Sequence, residues 1–421
     1  MKVYVINKNG KPLMPTKPSR ARKMLKTGKA KVHQRTPFTI QLLSDTKEYT
    51  QPITLGVDAG SKTVGLSATT ETEEVYASET ELRNDIVDLL STRLEFRRAR
   101  RNRKTRYRKA RFQNRIKTKK QGWLAPSIRQ KIHSHLKIVK QIYKILPITK
   151  IIVEVAAFDI QKIKNPNISG AEYQQGEQLN FWNVREYVLF RDNHKCQGKK
   201  NCANKILNVH HIESRKTGGD APNNLITLCE DCHNAYHTGS LKLNLKRGAS
   251  FKDSAFMGIM RWTFYEKLKE SYSNVSLTYG YLTKNTRITN NLPKSHTTDA
   301  RCISGNPTAE ANDIIYFQKI VRKHNRQIHK ATINKGGTRK LNQAPKYVFG
   351  FQLFDKVEML DGQEGFVFGR RSSGSFDIRK LDGTKLSAGV TYKKLALIEK
   401  RKSILLEARC ASFANTSAHG V

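Results

Sequence analysis

The sequence has no uninterrupted apolar run of about 18 residues, so no membrane-spanning helix is expected. Its opening stretch, MKVYVINKNGKPLMP, holds no continuous hydrophobic segment, and no secretory signal is expected either. Cysteine is scarce: 6 in 421 residues excludes a disulfide-stapled scaffold. Four of the six fall between Cys196 and Cys232, a grouping that points to metal in a reducing compartment. Negative charge is the other scarcity. Against 77 Lys and Arg there are 35 Asp and Glu, which leaves 77 − 35 = +42. Such an excess works against the compact state unless a polyanion neutralises it, and nucleic acid is the expected partner.

What is present is enough for several modest cores. Hydrophobic residues make up 38% and aromatics 8%, which excludes wholesale disorder. The length suits two to four domains. Residues 1–52 predict a small basic α/β module: VYVI (3–6) as a strand, KNGKP as a turn, a short helix over 19–30 stopped by Gly28, and an extended return over 33–43. From Ile53 to Glu79 the pattern predicts a meander of three strands, with Asp58 at the end of the first.

Residues 93–120 form the densest basic segment, with 15 Lys or Arg, a single acid and no Pro or Gly. Good helix formers that are polar all round predict a long helix lying against a polyanion. Phe96, Tyr107 and Phe112 are interleaved with its arginines. An apolar helical pattern follows over 127–147, and then a buried strand, 149–158, with Glu154 in its middle. A Gln/Asn-rich linker leads to a Cys/His-rich unit at roughly 181–245. Residues 348–399 predict a small barrel of hairpins with Asp-Gly turns at 361–362 and 382–383. No internal repeat is present, and the last twenty or so residues give no signal.

Two cysteine knuckles, CQGKKNC (196–202) and CEDC (229–232), present four thiolates, the donor set of a structural zinc. Between and after them lie His210-His211, Asn223-Asn224 and His233/His237, the last two one helical turn apart. One or more imidazoles holding a cation against a phosphate, with a separate imidazole to deprotonate water, is what a one-metal phosphodiesterase needs. The spacing HH-(12)-N-(8)-H-x₃-H resembles the HNH nucleases and their ββα-metal fold. The resemblance implies His211 as general base, His210, His233 and His237 as Mg²⁺ ligands, and Asn224 as the residue that orients the His211 loop.

Three carboxylates are scattered more widely. Asp58 ends a strand before a Gly turn, Glu154 interrupts an apolar strand, and Asp299 follows His296 by three residues at a helix start. An acid in a buried strand normally has a cation to bind, and a two-metal site needs such convergent oxygens. The order DxGxxxxG, VEV, HxxD resembles the RuvC nuclease, an RNase H-like core split into three segments, here with His296 beside the metal-binding Asp58, Glu154 and Asp299. A split RuvC core, an Arg-rich helix after its first segment and an inserted HNH unit together resemble the RNA-guided DNA endonucleases. Pro12-Leu13-Met14-Pro15 narrows the resemblance to the compact transposon-encoded IscB family.

By that resemblance the chain is a multidomain α/β protein. The expected order is a PLMP-type domain over 1–52, RuvC segments over 53–92, 121–178 and 251–330, an Arg-rich bridge helix over 93–120, an HNH domain over 179–250 and a β-rich, barrel-like domain over 331–421. The bridge helix would hold guide (omega) RNA through Arg97, Arg98, Arg100, Arg101, Arg103, Arg106, Arg108, Arg111 and Arg115. The C-terminal domain would read a short motif beside the duplex DNA target. Two Mg²⁺ in RuvC, one in HNH, a structural Zn²⁺, a monomeric protein in the ribonucleoprotein and a prokaryotic cytoplasmic setting complete the expectation. The competing readings are a nuclease that reads DNA without RNA and an RNA-guided binder with dead sites.

Overall fold

A computed structural model describes residues 2–102, 123–155, 184–199, 202, 206–214, 222–246, 252–323, 336 and 345–410. The chain divides into two compact units, one comprising residues 1–117, 125–157 and 260–421, the other residues 118–124 and 158–259. No helix among the described residues is long and apolar enough to cross a membrane.

The first unit opens with a four-stranded sheet: β1 (Val3–Ile6), β2 (Pro12–Thr16), β3 (Ala30–Gln34) and β4 (Thr39–Leu42), in the order β2-β1-β4-β3. Helix α1 (Pro18–Lys26) starts on a proline, where the missing N–H costs nothing, and ends before Gly28 at φ +67°. Ala21 and the apolar faces of β1 and β4 share one small core. The Tyr4 hydroxyl leaves that core to donate to the Val75 carbonyl at 3.1 Å, fastening the module to the sheet that follows.

That sheet begins with β5 (Thr54–Ala59), β6 (Thr63–Thr69) and β7 (Glu74–Glu81), an antiparallel meander as the sequence predicts. The basic helix, α2, runs over Ile86–Arg101 and so starts before the Arg-rich segment. Arg97, Arg98 and Arg101 lie on it. The side chain of Arg100, and Arg103, Arg106, Arg108, Arg111 and Arg115, lie outside the described residues, as does the Gln/Asn-rich linker. Helix α3 (Pro126–Ile142) buries Ile128, Ile132, His135, Val139 and Ile142. Strand β8 (Lys150–Val155) then pairs parallel to β5.

The second unit contains α4 (Val184–Arg191), an antiparallel pair β9 (Leu207–His211) and β10 (Leu225–Cys229), and α5 (Glu230–His237). A single turn of 3₁₀ helix, Pro222–Asn224, leads into β10.

Helix α6 (Lys252–Ser271) brings the chain back to the first unit, where Met260, Phe264 and Leu268 are buried. Then follow β11 (Val275–Tyr279), α7 (Gly280–Thr289), α8 (His296–Ile303) and β12 (Ile314–Ile320). Strands β13 (Lys356–Met359), β14 (Glu364–Arg370), β15 (Ser375–Arg379), β16 (Lys385–Thr391) and β17 (Leu395–Glu399) form one antiparallel sheet in the order β16-β15-β14-β13-β17. The expected Asp-Gly turns are there, with Gly362 at φ +77° and Gly383 at φ +96°. The expected closure is not: among the described residues β16 and β17 form no ladder, because β17 returns across the sheet to pair with β13. The silent C-terminus corrects a second expectation. β18 (Ile404–Cys410) leaves the 331–421 segment and pairs with β12, residue for residue, from Ile314–Cys410 to Ile320–Ile404. The central sheet is thus seven-stranded, in the order β11-β8-β5-β6-β7-β12-β18.

Helix α8 lies against the middle of this sheet because two glycines let it come close. A Cβ on Gly56 would sit 2.0 Å from the Ala300 carbonyl oxygen, and one on Gly65 2.0 Å from that of His296. The second glycine of the DxGxxxxG pattern is therefore a contact position for the helix that carries HxxD. Neither clash can be relieved by a side-chain rotation, since both partners are backbone. Gly65→Ala is expected to lower stability by about 1–3 kcal/mol through overpacking, read as a lower thermal midpoint, whereas alanine at the open turn Gly239 should leave the first unit's transition in place.

Candidate active sites and a thiol cluster

In the first unit the carboxylates separated in sequence meet. Asp58 ends β5, Glu154 lies on the neighbouring β8, and Asp299 comes from the first turn of α8. Ser295 caps that helix, its Oγ accepting from the Thr298 N–H at 3.0 Å, which fixes where α8 begins and hence where His296 and Asp299 point. The His296 ring contacts Asp58, Nδ1 to Oδ2, at 2.6 Å.

The electrostatics follow from this convergence. Burial pushes the Glu154 carboxyl above its usual range, and the Asp58 charge adds to the push. Asp299 is raised for the same two reasons in the same order. His296 moves upward because its hydrogen bond to Asp58 favours the imidazolium. Two arginines answer the acids: Arg261 Nη2 lies 3.5 Å from Glu154 Oε1, and Arg287 Nε lies 2.9 Å from Asp299 Oδ1. Sequence reasoning missed both, because nothing local distinguishes two arginines among 77 basic residues. Partly buried acids, Glu154 and Asp299 raised by burial and then by Asp58, are a donor set suited to hard divalent cations, which would replace protons there.

In the second unit β9 and α5 bring three imidazoles together. His210, His233 and His237 have ligand atoms within 4.8 Å of one another. Burial, then the two neighbouring histidines, push His210 down to about 4, so it is neutral at physiological pH and its lone pair is available. His211, next in the strand, points to the other face of the ladder, as period two requires, and is not in that cluster. Asn224 is fully buried. Its Oδ1 accepts from the Glu213 N–H at 2.9 Å and its Nδ2 donates to the Glu213 carbonyl at 3.0 Å, so it clips the segment directly after His211.

The same unit holds Cys196, Cys202, Cys229 and Cys232, ligand atoms within 4.8 Å. Cys202 and Cys232 sulfurs are 3.5 Å apart. Burial raises Cys196, but N–H groups of Cys229 and Gly198 and the adjoining thiols outweigh it and bring the thiol to about 7. Cys232 goes the other way, raised by burial and by its thiol neighbours. One thiolate makes the next harder to form, a conflict that a zinc ion in place of the protons removes. Among the described residues six apolar or thiol side chains pack around Leu228, Cys229 and Cys232, a small cluster to which a bound metal would add stability. Cys229→Ser is expected to abolish a one-to-one zinc content found by elemental analysis and to increase protease cleavage within 184–246; active protein without zinc would contradict this.

Comparison with known proteins agrees with this arrangement in order along the chain. Residues 3–176 match the family described as RRXRR protein, and residues 195–239 match the family described as HNH endonuclease. A curated relative, Anaredoxin from Nostoc sp. (strain PCC 7120 / SAG 25.82 / UTEX 2576), is 42% identical over 45 residues, which are 10% of this chain and 59% of that protein. Among solved structures, Streptococcus thermophilus Cas9 in complex with the AGAA PAM is 13% identical with a TM-score of 0.32, the match covering 61% of this chain and 32% of that one. The Type II-C Cas9 enzyme from Actinomyces naeslundii is 9% identical with a TM-score of 0.20, covering 61% and 60%. These scores are too low to add to the two family matches. An RRXRR segment followed by an HNH endonuclease segment is the order that an IscB/Cas9-like nuclease would show, and in that order this chain is similar to such proteins.

Proposed function

We propose that the chain is an RNA-guided DNA endonuclease that cuts both strands of its target, each at a different site. One observation carries this: a single chain gathers two chemically distinct donor sets, Asp58/Glu154/Asp299 with His296 and His210/His233/His237, each of a kind that phosphodiester hydrolysis would use. One site suffices for a nick. Two sites of different chemistry suit two strands of opposite polarity.

In the second unit His211 would accept the proton of the attacking water, with Asn224 holding its loop through the Glu213 backbone. His210, His233 and His237 would hold the cation, which when bound supplies positive charge to the phosphate oxygens. His210 is ready for this role without losing a proton, because it is already neutral. In the first unit Asp58, Glu154 and Asp299 would hold the two cations of an RNase H-like core. His296 keeps a proton between Nδ1 and Asp58, which orients that carboxylate. Mg²⁺ is the expected cation at the carboxylates, whose hard oxygens suit it. The thiol cluster would hold structural Zn²⁺ away from the chemistry.

Sequence specificity would come from pairing between guide and target, the protein gripping the backbone of the hybrid. The net charge of +42 and the basic helix α2 support a bound polyanion. The five-stranded sheet of residues 356–399 would meet the duplex beside the target.

Asp58→Ala is expected to leave a nickase of the guide-paired strand, and His211→Ala a nickase of the displaced strand, each losing its own cut by about 10²–10⁴-fold. Strand-resolved sequencing gels on end-labelled duplex read both cuts in one reaction. Loss of both cuts from either single change, with RNA and protein still bound, would contradict two independent sites.

A further inference from the structure

The turn that follows Asp58 is held from outside by two helices. Two of its carbonyls, those of Ala59 and Ser61, accept from basic side chains. Arg261 of α6 donates through Nε to the Ala59 carbonyl at 2.8 Å. Lys131 of α3 donates through Nζ to the Ser61 carbonyl. His135 of α3 is buried, its Nδ1 lying 2.8 Å from the Lys131 carbonyl one helical turn earlier. Burial keeps His135 neutral by pushing it down to about 4.

Of the three, Arg261 also reaches the site. While Nε holds Ala59, Nη2 lies 3.5 Å from Glu154 Oε1, and both side chains are largely buried at 17% and 13% exposure. One planar guanidinium therefore spans the ends of β5 and β8, the two strands that carry Asp58 and Glu154. Its approach is to one oxygen of the carboxylate, Oε1. Lysine could not do this: a single ammonium on a flexible stem lacks the fork that meets both acceptors at fixed separation.

Resting on the two-site nuclease reading, we propose that Arg261 is the positioning residue of the carboxylate site, setting the distance between Asp58 and Glu154 and offsetting their repulsion before cations enter. It touches no reacting atom. Its contribution lies in holding two ligands, on separate strands, at the spacing a cation pair requires. Residues that orient ligands in this way typically govern metal affinity by about 10–100-fold.

The experiment compares wild type, Arg261→Gln, Arg261→Lys and Asp58→Ala as full-length RNA-loaded protein. Three quantities are read: Mn²⁺ binding by electron paramagnetic resonance, strand-resolved cutting across a Mg²⁺ series, and the thermal midpoint. To isolate the carboxylate site, Mn²⁺ binding is measured in a background carrying His233→Ala and His237→Ala. Arg261→Gln is expected to weaken the Mn²⁺ binding that Asp58→Ala removes by about tenfold or more. It should raise the Mg²⁺ needed for the displaced-strand cut in the same proportion, leave the other cut unchanged and leave the thermal midpoint near wild type. Arg261→Lys should resemble the Gln variant, since the bridge rather than the charge alone is at stake. Unchanged Mn²⁺ binding in Arg261→Gln would overturn the proposal, and so would equal loss of both cuts with a lowered midpoint, which would make the residue part of the folding core. Because Mn²⁺ binding is read directly, a chain that binds Mn²⁺ through Asp58 yet cuts no DNA would refute the nuclease reading and still decide the role of Arg261.

Discussion

Three carboxylates in one partly buried place repel each other, and the first unit is organised around that repulsion. At an effective dielectric of about 20, two unit charges about 4 Å apart cost about 4 kcal/mol. Asp58, Glu154 and Asp299 are close enough for Glu154 and Asp299 both to be raised by Asp58. Each acid has been given its own basic partner: His296 for Asp58, Arg261 for Glu154, Arg287 for Asp299. The backbone packing serves the same end. Only by resting α8 directly on Gly56 and Gly65 can His296 and Asp299 reach the end of β5.

The second unit solves a different problem with softer donors. Three imidazoles gather there, and burial, followed by its two histidine neighbours, holds His210 in the neutral form that leaves a lone pair free. The thiols do conflict, and they sit apart from the histidines as a separate group beneath β10 and the start of α5. One unit thus keeps two candidate donor sets within a short stretch of chain, one of cysteines and one of histidines. His211 stays out of both groups by the alternation of β9, as the proposed general base beside the three imidazoles would need to.

Much of this was legible in the sequence. The β5–β7 meander, the Glu154 strand, the one-turn spacing of His233 and His237 and the Asp-Gly hairpins each depend on local pattern, and local pattern decides them. The clustered residues of the second unit lie within Cys196 to His237, so their spacing alone points to shared metals. What failed depends on long-range pairing. Strand β18 has weak alternation and earns its place only by pairing with β12, some ninety residues away, a contact no window reveals. Closure of the 356–399 sheet was expected from hairpin signals, but hairpins fix neighbours, and only the return of β17 to β13 decides that the sheet stays open. Arg261 and Arg287 were invisible for another reason: in a chain with 77 basic residues, an arginine near an acid is recognisable only once the strands are assembled.

Whether cutting is directed by RNA is the central claim, and it can be tested without any substitution. The protein is purified with its nucleic acid retained, the bound RNA is sequenced, and supercoiled plasmid carrying the complement of its guide segment is offered with Mg²⁺. RNA guidance predicts cutting of both strands at the complement alone, abolished by prior removal of the RNA and restored by adding it back. Equal cutting after complete RNA removal, or cutting indifferent to the complement, would contradict it.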